Sequence, residues 1–175
     1  GPGSHDDRGH RQGAEGLRSR HGVRADAGRR RTGTEGLRDH GVVRAGERTT
    51  KQGSPDTFTG TVFQDPVITA NSPSRLGGSV VTFTPGARTA WHSHPVGQTL
   101  YCLTGVGRIC FQGQPPQAIN PGDIVNIPPN TMHWHGAAPD RLFAHLALSE
   151  AGEKGEGTQW GEHVSDSEYT KPVSG

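Results

Sequence analysis

Gly86-Ala-Arg-Thr-Ala-Trp-His92-Ser-His94-Pro-Val-Gly-Gln98-Thr-Leu-Tyr-Cys-Leu-Thr-Gly105 is the stretch on which the reading of this chain turns. His92 and His94 stand two apart, so on an extended strand both imidazoles leave the same face. Gln98 follows four residues later in the same phase, although Pro95 and Gly97 interrupt a regular strand between them. Neutral imidazole is a common ligand for borderline metals, and an amide oxygen can complete the set. A second stretch, Gly122-Asp-Ile-Val-Asn-Ile-Pro128-Pro-Asn130-Thr-Met-His133-Trp-His135, supplies another imidazole from another strand. The pattern predicts a metal site on His92, His94, Gln98 and His133. The competing reading is a cluster of structural histidines in a barrel that binds by shape.

Outward from these stretches, the composition divides the 175 residues in two. Residues 1–53 hold 12 of the 18 Lys and Arg but only 7 of the 17 Asp and Glu, a net +5, and the remainder carries −4. Gly-Pro-Gly-Ser at the start reads as the scar of a cleaved tag. From His5 to Gly53 there is no Phe, Trp, Tyr, Ile, Met or Cys, so this Gly/Arg-rich extension has too little apolar surface to offset the entropy of ordering it. It repeats Gly13-Ala-Glu-Gly-Leu-Arg as Gly33-Thr-Glu-Gly-Leu-Arg, too little for a solenoid. Two readings are open, a basic nucleic-acid arm and a disordered or irregular leader. The lack of aromatics for base stacking and the interleaved acids favour the leader, and nucleic acid is not the expected partner.

From Phe58 onward the chain predicts an all-β domain, residues 54–175. Thr-Gly-Thr-Val-Phe63 reads as a strand ahead of Asp65-Pro-Val-Ile and a Ser-Pro-Ser turn. Further short strands are predicted at Gly78–Thr84, Ala90–His94, Thr99–Leu103, Val106–Phe111, Gln117–Ile119, Ile124–Ile127, Met132–Gly136 and Leu142–Leu148, separated by Gly/Pro turns. Even spacing of this kind argues for a barrel or sandwich. If Leu100–Leu103 and Arg108–Phe111 form a hairpin, Cys102 and Cys110 are out of register for a bridge. A reduced, cytoplasmic protein is expected, with no membrane-spanning run and no secretory signal. Ser165-Asp-Ser-Glu168 reads as the capping sequence of a terminal helical turn.

The two histidine stretches resemble the paired motifs of the cupin family. Gly86, His92, His94 and Gly105 fall on the first motif, with Gln98 where Glu is usual. Gly122, Pro128 and His133 fall on the second, with Asn130 replacing a Gly and Ala137 an Asn. Asn130 is a mild departure, because Asn tolerates the left-handed conformation a Gly would supply. The resemblance implies a single-domain jelly-roll β-barrel with the metal on His92, His94, Gln98 and His133. A neutral amide in place of Glu leaves the full charge on a divalent ion, which favours Lewis-acid over oxygen chemistry.

His135 lies two past His133, so the same face carries it beside the site, where a neutral imidazole can act as a base. His145 either shares the pocket or is a satisfied core histidine. Trp91 and Trp134 alternate to the opposite face as packing or subunit-interface residues, and placed near the rims with Trp160 they predict at least a homodimer or homotetramer.

A narrower likeness adds to this. Pro85–Leu100, His133-Trp-His-Gly-Ala-Ala-Pro, Ala144-His-Leu-Ala and Trp160-Gly-Glu-His-Val are similar to bacterial cupin-type (R)-selective hydroxynitrile lyases. They also resemble small cupins grouped with carboxymuconolactone decarboxylase-like proteins. The resemblance implies one divalent metal per chain, manganese in the lyases, with Fe, Ni, Co or Zn as alternatives. It implies a small-molecule substrate joined or split as cyanide and an aromatic aldehyde, His135 moving the proton, and His145 and Thr89 lining the pocket. The alternative within the family is a dioxygenase-like or small-molecule-binding cupin.

Overall fold

Short runs of β-branched and aromatic residues between turns cannot bury an apolar face singly, and here they do so by stacking two antiparallel sheets. The computed structural model describes residues 41–174, so most of the basic extension lies outside the described residues. The first sheet runs in the order β1 (Lys51–Gln52), β3 (Val62–Ile68), β4 (Leu76–Phe83), β12 (Phe143–Glu150), β7 (Gln98–Gly105), β10 (Ile124–Ile127). The second is built on β11 (His133–Ala137), which pairs on one side with β8 (Gly107–Phe111) and through it β9 (Gln117–Ile119). On its other side β11 meets β5 (Arg88–Thr89) and β6 (His92–Ser93), flanked by β2 (Phe58–Thr59) and β13 (Gln159–Trp160). This is the expected all-β jelly-roll barrel.

Between the sheets, Phe58, Val62, Val81, Phe83, Leu100, Ile109, Val125, Ile127 and Phe143 form one buried cluster. The histidines pack against it: Phe83 lies with its ring centroid 5.8 Å from that of His135 and 5.5 Å from that of His145.

Three expectations need correction. Residues 100–103 and 108–111 are not a hairpin: β7 pairs with β10 and β12, and β8 with β9 and β11. The chain switches sheets at Gly105, whose φ is +79° and whose added Cβ would meet the Leu142 carbonyl oxygen at 1.7 Å. Cys102 and Cys110 therefore sit on different sheets, both free and buried. Second, β3 does not stop before Pro66 but runs through it, with a register shift between Pro66 and Ile68 where a missing N–H is tolerated.

Third, Trp134 is no rim residue. It is fully buried beneath the C-terminal tail, in a second cluster with Cys110, Val164 and Tyr169, with Trp91 packed alongside. The tail is pinned there by α1 (Asp166–Tyr169), which carries the predicted cap: the Glu168 N–H donates to Ser165 Oγ. Arg88 reaches out from β5 to donate to the Val164 carbonyl at 2.7 Å and to Asp166 at 2.8 Å, with its guanidinium 4.5 Å from the Tyr169 ring centroid. The Trp91 indole donates to Glu168 at 2.8 Å. Since Trp134 anchors this layer, Trp134→Ala should destabilise the fold by about 3–5 kcal/mol, the range for removing a buried large aromatic. A urea unfolding midpoint matching that of the wild type would show that the tail cluster carries no stability.

Candidate metal centre

Two turns bring the predicted donors together. After β6 the chain leaves the second sheet through His94-Pro-Val-Gly97 and enters β7 of the first sheet at Gln98. His94 and Gln98 are thus not on one continuous strand. Gly97 makes the crossing possible, with φ +87° and the Ile127 carbonyl oxygen 2.6 Å from where a Cβ would stand. The second turn, Pro128-Pro-Asn130, leads into β11. Asn130 is the sole non-glycine residue at positive φ among the described residues, at 57°, the conformation expected for it. Its N–H donates to the His94 carbonyl at 2.8 Å, so the two turns are tied to each other.

His133 lies opposite His92 in the β6–β11 register, and their ring centroids are 4.1 Å apart. His94 lies 5.1 Å from His92 and 5.5 Å from His133 by the same measure. One three-imidazole group, His92, His133 and His135, has its ligand atoms all within 4.8 Å of one another. His135 stacks 5.8 Å from His133, on the shared face that their spacing predicts. Its Nδ1 is 3.0 Å from Nε2 of His145, so His145 joins the group rather than standing apart as a core histidine. Thr89, out of phase with His92, also reaches the cavity, and its hydroxyl accepts the His135 backbone N–H at 3.2 Å.

The hydrogen bonds orient the rings. His92 Nδ1 faces the Ala90 carbonyl at 2.9 Å and His133 Nδ1 faces the Thr131 carbonyl at 2.8 Å. A carbonyl only accepts, so each Nδ1 carries the proton and each Nε2 the lone pair. His94 Nδ1 lies 3.2 Å from the Thr158 hydroxyl. Nε2 of His94 and His133 and Oε1 of Gln98 are buried with no hydrogen-bond partner, as is Nε2 of His135. Buried polar atoms are rarely left so, and inward-facing donors of this type fit a divalent cation.

Burial keeps the rings neutral. It holds His133 down at about 4 and His145 at about 3, and lowers His94, against which the Gln98 amide acts. His92 lies well below its usual range through burial and then His133, and His135 through burial and then His145. His92, His94, His135 and His145, with Gln98, line a cavity of about 470 Å³ whose apolar side is Phe58, Ile68, Val81, Ala147 and Trp160.

Folded-state values below the roughly 6.5 of an unfolded histidine mean that the unfolded chain binds protons first. The contribution to stability is complete above pH about 6.5 and is lost as pH falls through the window down to about 4 and then 3. Metal-free protein should show a thermal midpoint that falls progressively below pH about 6.5. A midpoint unchanged down to pH about 4 would contradict the neutral buried cluster.

A family profile described as a cupin domain matches residues 79–145. An (R)-mandelonitrile lyase of Granulicella tundricola is 45% identical over 130 residues, which is 74% of this chain and 98% of that protein. A solved cupin-like protein of Thermotoga maritima is 41% identical, with a TM-score of 0.66 over 71% of this chain and 93% of its own. A cupin-2 domain of Rhodospirillum rubrum, 17% identical over 74% of this chain and 84% of its own, shares the fold with a TM-score of 0.57.

Proposed function

The chain belongs to the cupin family, and we propose that within it this protein is a metal-dependent lyase that splits and forms α-hydroxynitriles of the mandelonitrile type. The observation that carries the reading is the set of oriented imidazoles, with buried Nε2 atoms that have no hydrogen-bond partner, in a chain 45% identical to a mandelonitrile lyase. His92, His94, Gln98 and His133 are the proposed ligands of one divalent cation, manganese by likeness to the lyases. When bound, that cation supplies a Lewis acid that lowers the energy of negative charge developing on the substrate oxygen.

The remaining work falls to the chain's own side chains. His135 Nδ1 and His145 Nε2 are 3.0 Å apart, and the proposed tautomer has His135 as the donor, which leaves the lone pair on His135 Nε2. That nitrogen takes the cyanohydrin hydroxyl proton. The oxygen's electron pair forms the aldehyde carbonyl as the carbon–carbon bond breaks, and its electrons leave with cyanide. Returning the proton from His135 gives hydrogen cyanide and restores the base. Thr89 holds the His135 backbone through its hydroxyl. The cavity, within the usual range for small-molecule sites, offers Phe58, Val81 and Trp160 to an aromatic ring.

The tests are metal content and mandelonitrile cleavage on the same samples. Wild-type protein should hold one divalent metal per chain and cleave the substrate. His135→Ala should lower turnover on the order of 10²-fold while keeping its metal, the usual scale for loss of a general base. A metal-loaded wild type inert toward cyanohydrins would leave a binding or dioxygenase-like cupin. Full activity in His135→Ala would move the base elsewhere.

Self-association is proposed through the outer face of the first sheet, since Trp134 is buried within the chain. By register, Val80, Leu146, Tyr101 and Ile124 form one row across β4, β12, β7 and β10. Tyr101 is 44% exposed, Leu103 42% and Ile124 61%. Four strands of this length present roughly 500 Å² of flat face per chain, and a twofold axis would set this row against its own copy. Light scattering should give twice the 18.6 kDa of one chain. Ile124→Lys with Tyr101→Lys should give the single mass, and a monomeric wild type would overturn this face as an interface. A cytoplasmic location is proposed with it, on the two free cysteines, of which Cys102 is held up at about 11 by burial.

A further inference from the structure

The three imidazoles proposed as ligands are not anchored alike. His92 and His133 each turn Nδ1 to a backbone carbonyl two residues earlier in their own segment. These partners travel with the strand that carries the ring, so local folding alone fixes the tautomer. His94 has no such carbonyl. Its Nδ1 meets Oγ1 of Thr158, a side chain 64 residues later in the sequence, at 3.2 Å. A hydroxyl can accept from Nδ1–H or donate to a bare Nδ1, so this partner adapts to whichever nitrogen holds the proton.

The position of Thr158 is set by strand pairing. β13 runs antiparallel to β6 with Trp160 opposite His92 and Gln159 opposite Ser93. Continuing that register by one residue puts Thr158 opposite His94. The pairing extends in the other direction, where Gly161 N–H donates to the Trp91 carbonyl at 2.7 Å and Trp91 N–H to the Glu162 carbonyl at 2.9 Å. Trp160 lays its indole 4.7 Å from the His92 ring, by centroids, and 6.2 Å from Phe58. Residues 158–162 are thus zipped onto the strand that carries His92 and His94, and Thr158 and Trp160 both line the cavity.

We infer that Thr158 is a positioning residue for His94, and that the segment 158–162 is a working part of the metal centre. This rests on the metal-binding reading above. For His94 to offer Nε2 to a cation, Nδ1 must carry the proton and that proton must be satisfied. The ring is buried, and Thr158 is the sole hydrogen-bond partner of its Nδ1 among the described residues. Outer partners of this kind typically change metal affinity by 10–100-fold when removed. Because the partner arrives on the tail, cation binding and tail docking must stabilise each other, by the reciprocity of linked equilibria.

The test uses the full chain, Mn(II) as the probe, and competition with a chelator of known affinity. Thr158→Val keeps the shape and removes the hydroxyl; Thr158→Ser keeps the hydroxyl. The inference predicts Mn(II) affinity weakened about 10–100-fold in Thr158→Val and restored to within about threefold of wild type in Thr158→Ser. The metal-free thermal midpoint of Thr158→Ser should match that of wild type. Hydrogen exchange at the Gly161 amide should slow on adding Mn(II) to wild type, and slow less in Thr158→Val at the same Mn(II) concentration. Equal Mn(II) affinity in Thr158→Val and wild type would overturn the inference, as would weakening in both variants together with lowered metal-free midpoints, which marks a merely structural role. A wild type that binds no Mn(II) would instead overturn the metal-binding reading beneath it.

Discussion

Five imidazoles converge on one site, and burial disfavours a proton on each of them. His92, His133, His135 and His145 are buried against one another over Phe83 and Phe143, and removal from water disfavours the charged ring at every position. A neutral imidazole has one N–H and one lone pair, so each ring must find a partner for one and leave the other unpaired. The chain solves the first half with carbonyls at Ala90 and Thr131 and a hydroxyl at Thr158. The second half is left open, as lone pairs with no protein partner. Unpaired buried acceptors carry a desolvation penalty of about 1–3 kcal/mol each, and a cation would relieve several at once.

Everything else in the barrel serves this convergence. The two crossings, at Gly97 and Gly105, occur where a backbone carbonyl lies too close for any side chain. They let one continuous stretch place His92 and His94 at the second sheet and Gln98 in the first. The outer layer of Trp134, Tyr169 and Arg88 holds the C-terminal tail, and the tail returns Thr158 and Trp160 to the cavity mouth. A donor set with a neutral amide in place of a carboxylate keeps the charge of a bound ion uncompensated by the protein. That is the condition under which polarising an oxygen is favoured over stabilising an oxidised metal.

Where residues close in sequence decide the geometry, the sequence is readable. The His92–His94 and His133–His135 alternations, the left-handed Asn130 and the Ser165–Glu168 cap all depend on neighbours within a few positions. The strands themselves are legible, but their pairing is not where a distant partner intervenes. Residues 100–111 look like a hairpin because nothing local marks Gly105 as a passage between sheets. Trp134 looks like a rim residue because the tail that covers it lies some thirty positions away. Thr158 carries no signal at all in a Gly/Glu-rich link, since its place beside His94 comes from the pairing of β13 with β6.

His92 and His133 belong to either ligand set, and His135 stands near enough to compete with His94 and Gln98 for a cation. A crystal structure of metal-loaded protein, with anomalous diffraction at the metal's absorption edge, separates the two. The account predicts a single peak shared by Nε2 of His92, His94 and His133 and Oε1 of Gln98, with His135 Nε2 left free beside it. A peak held by His92, His133 and His135, with His94 and Gln98 turned away, would contradict it, because the proposed base would then be a ligand.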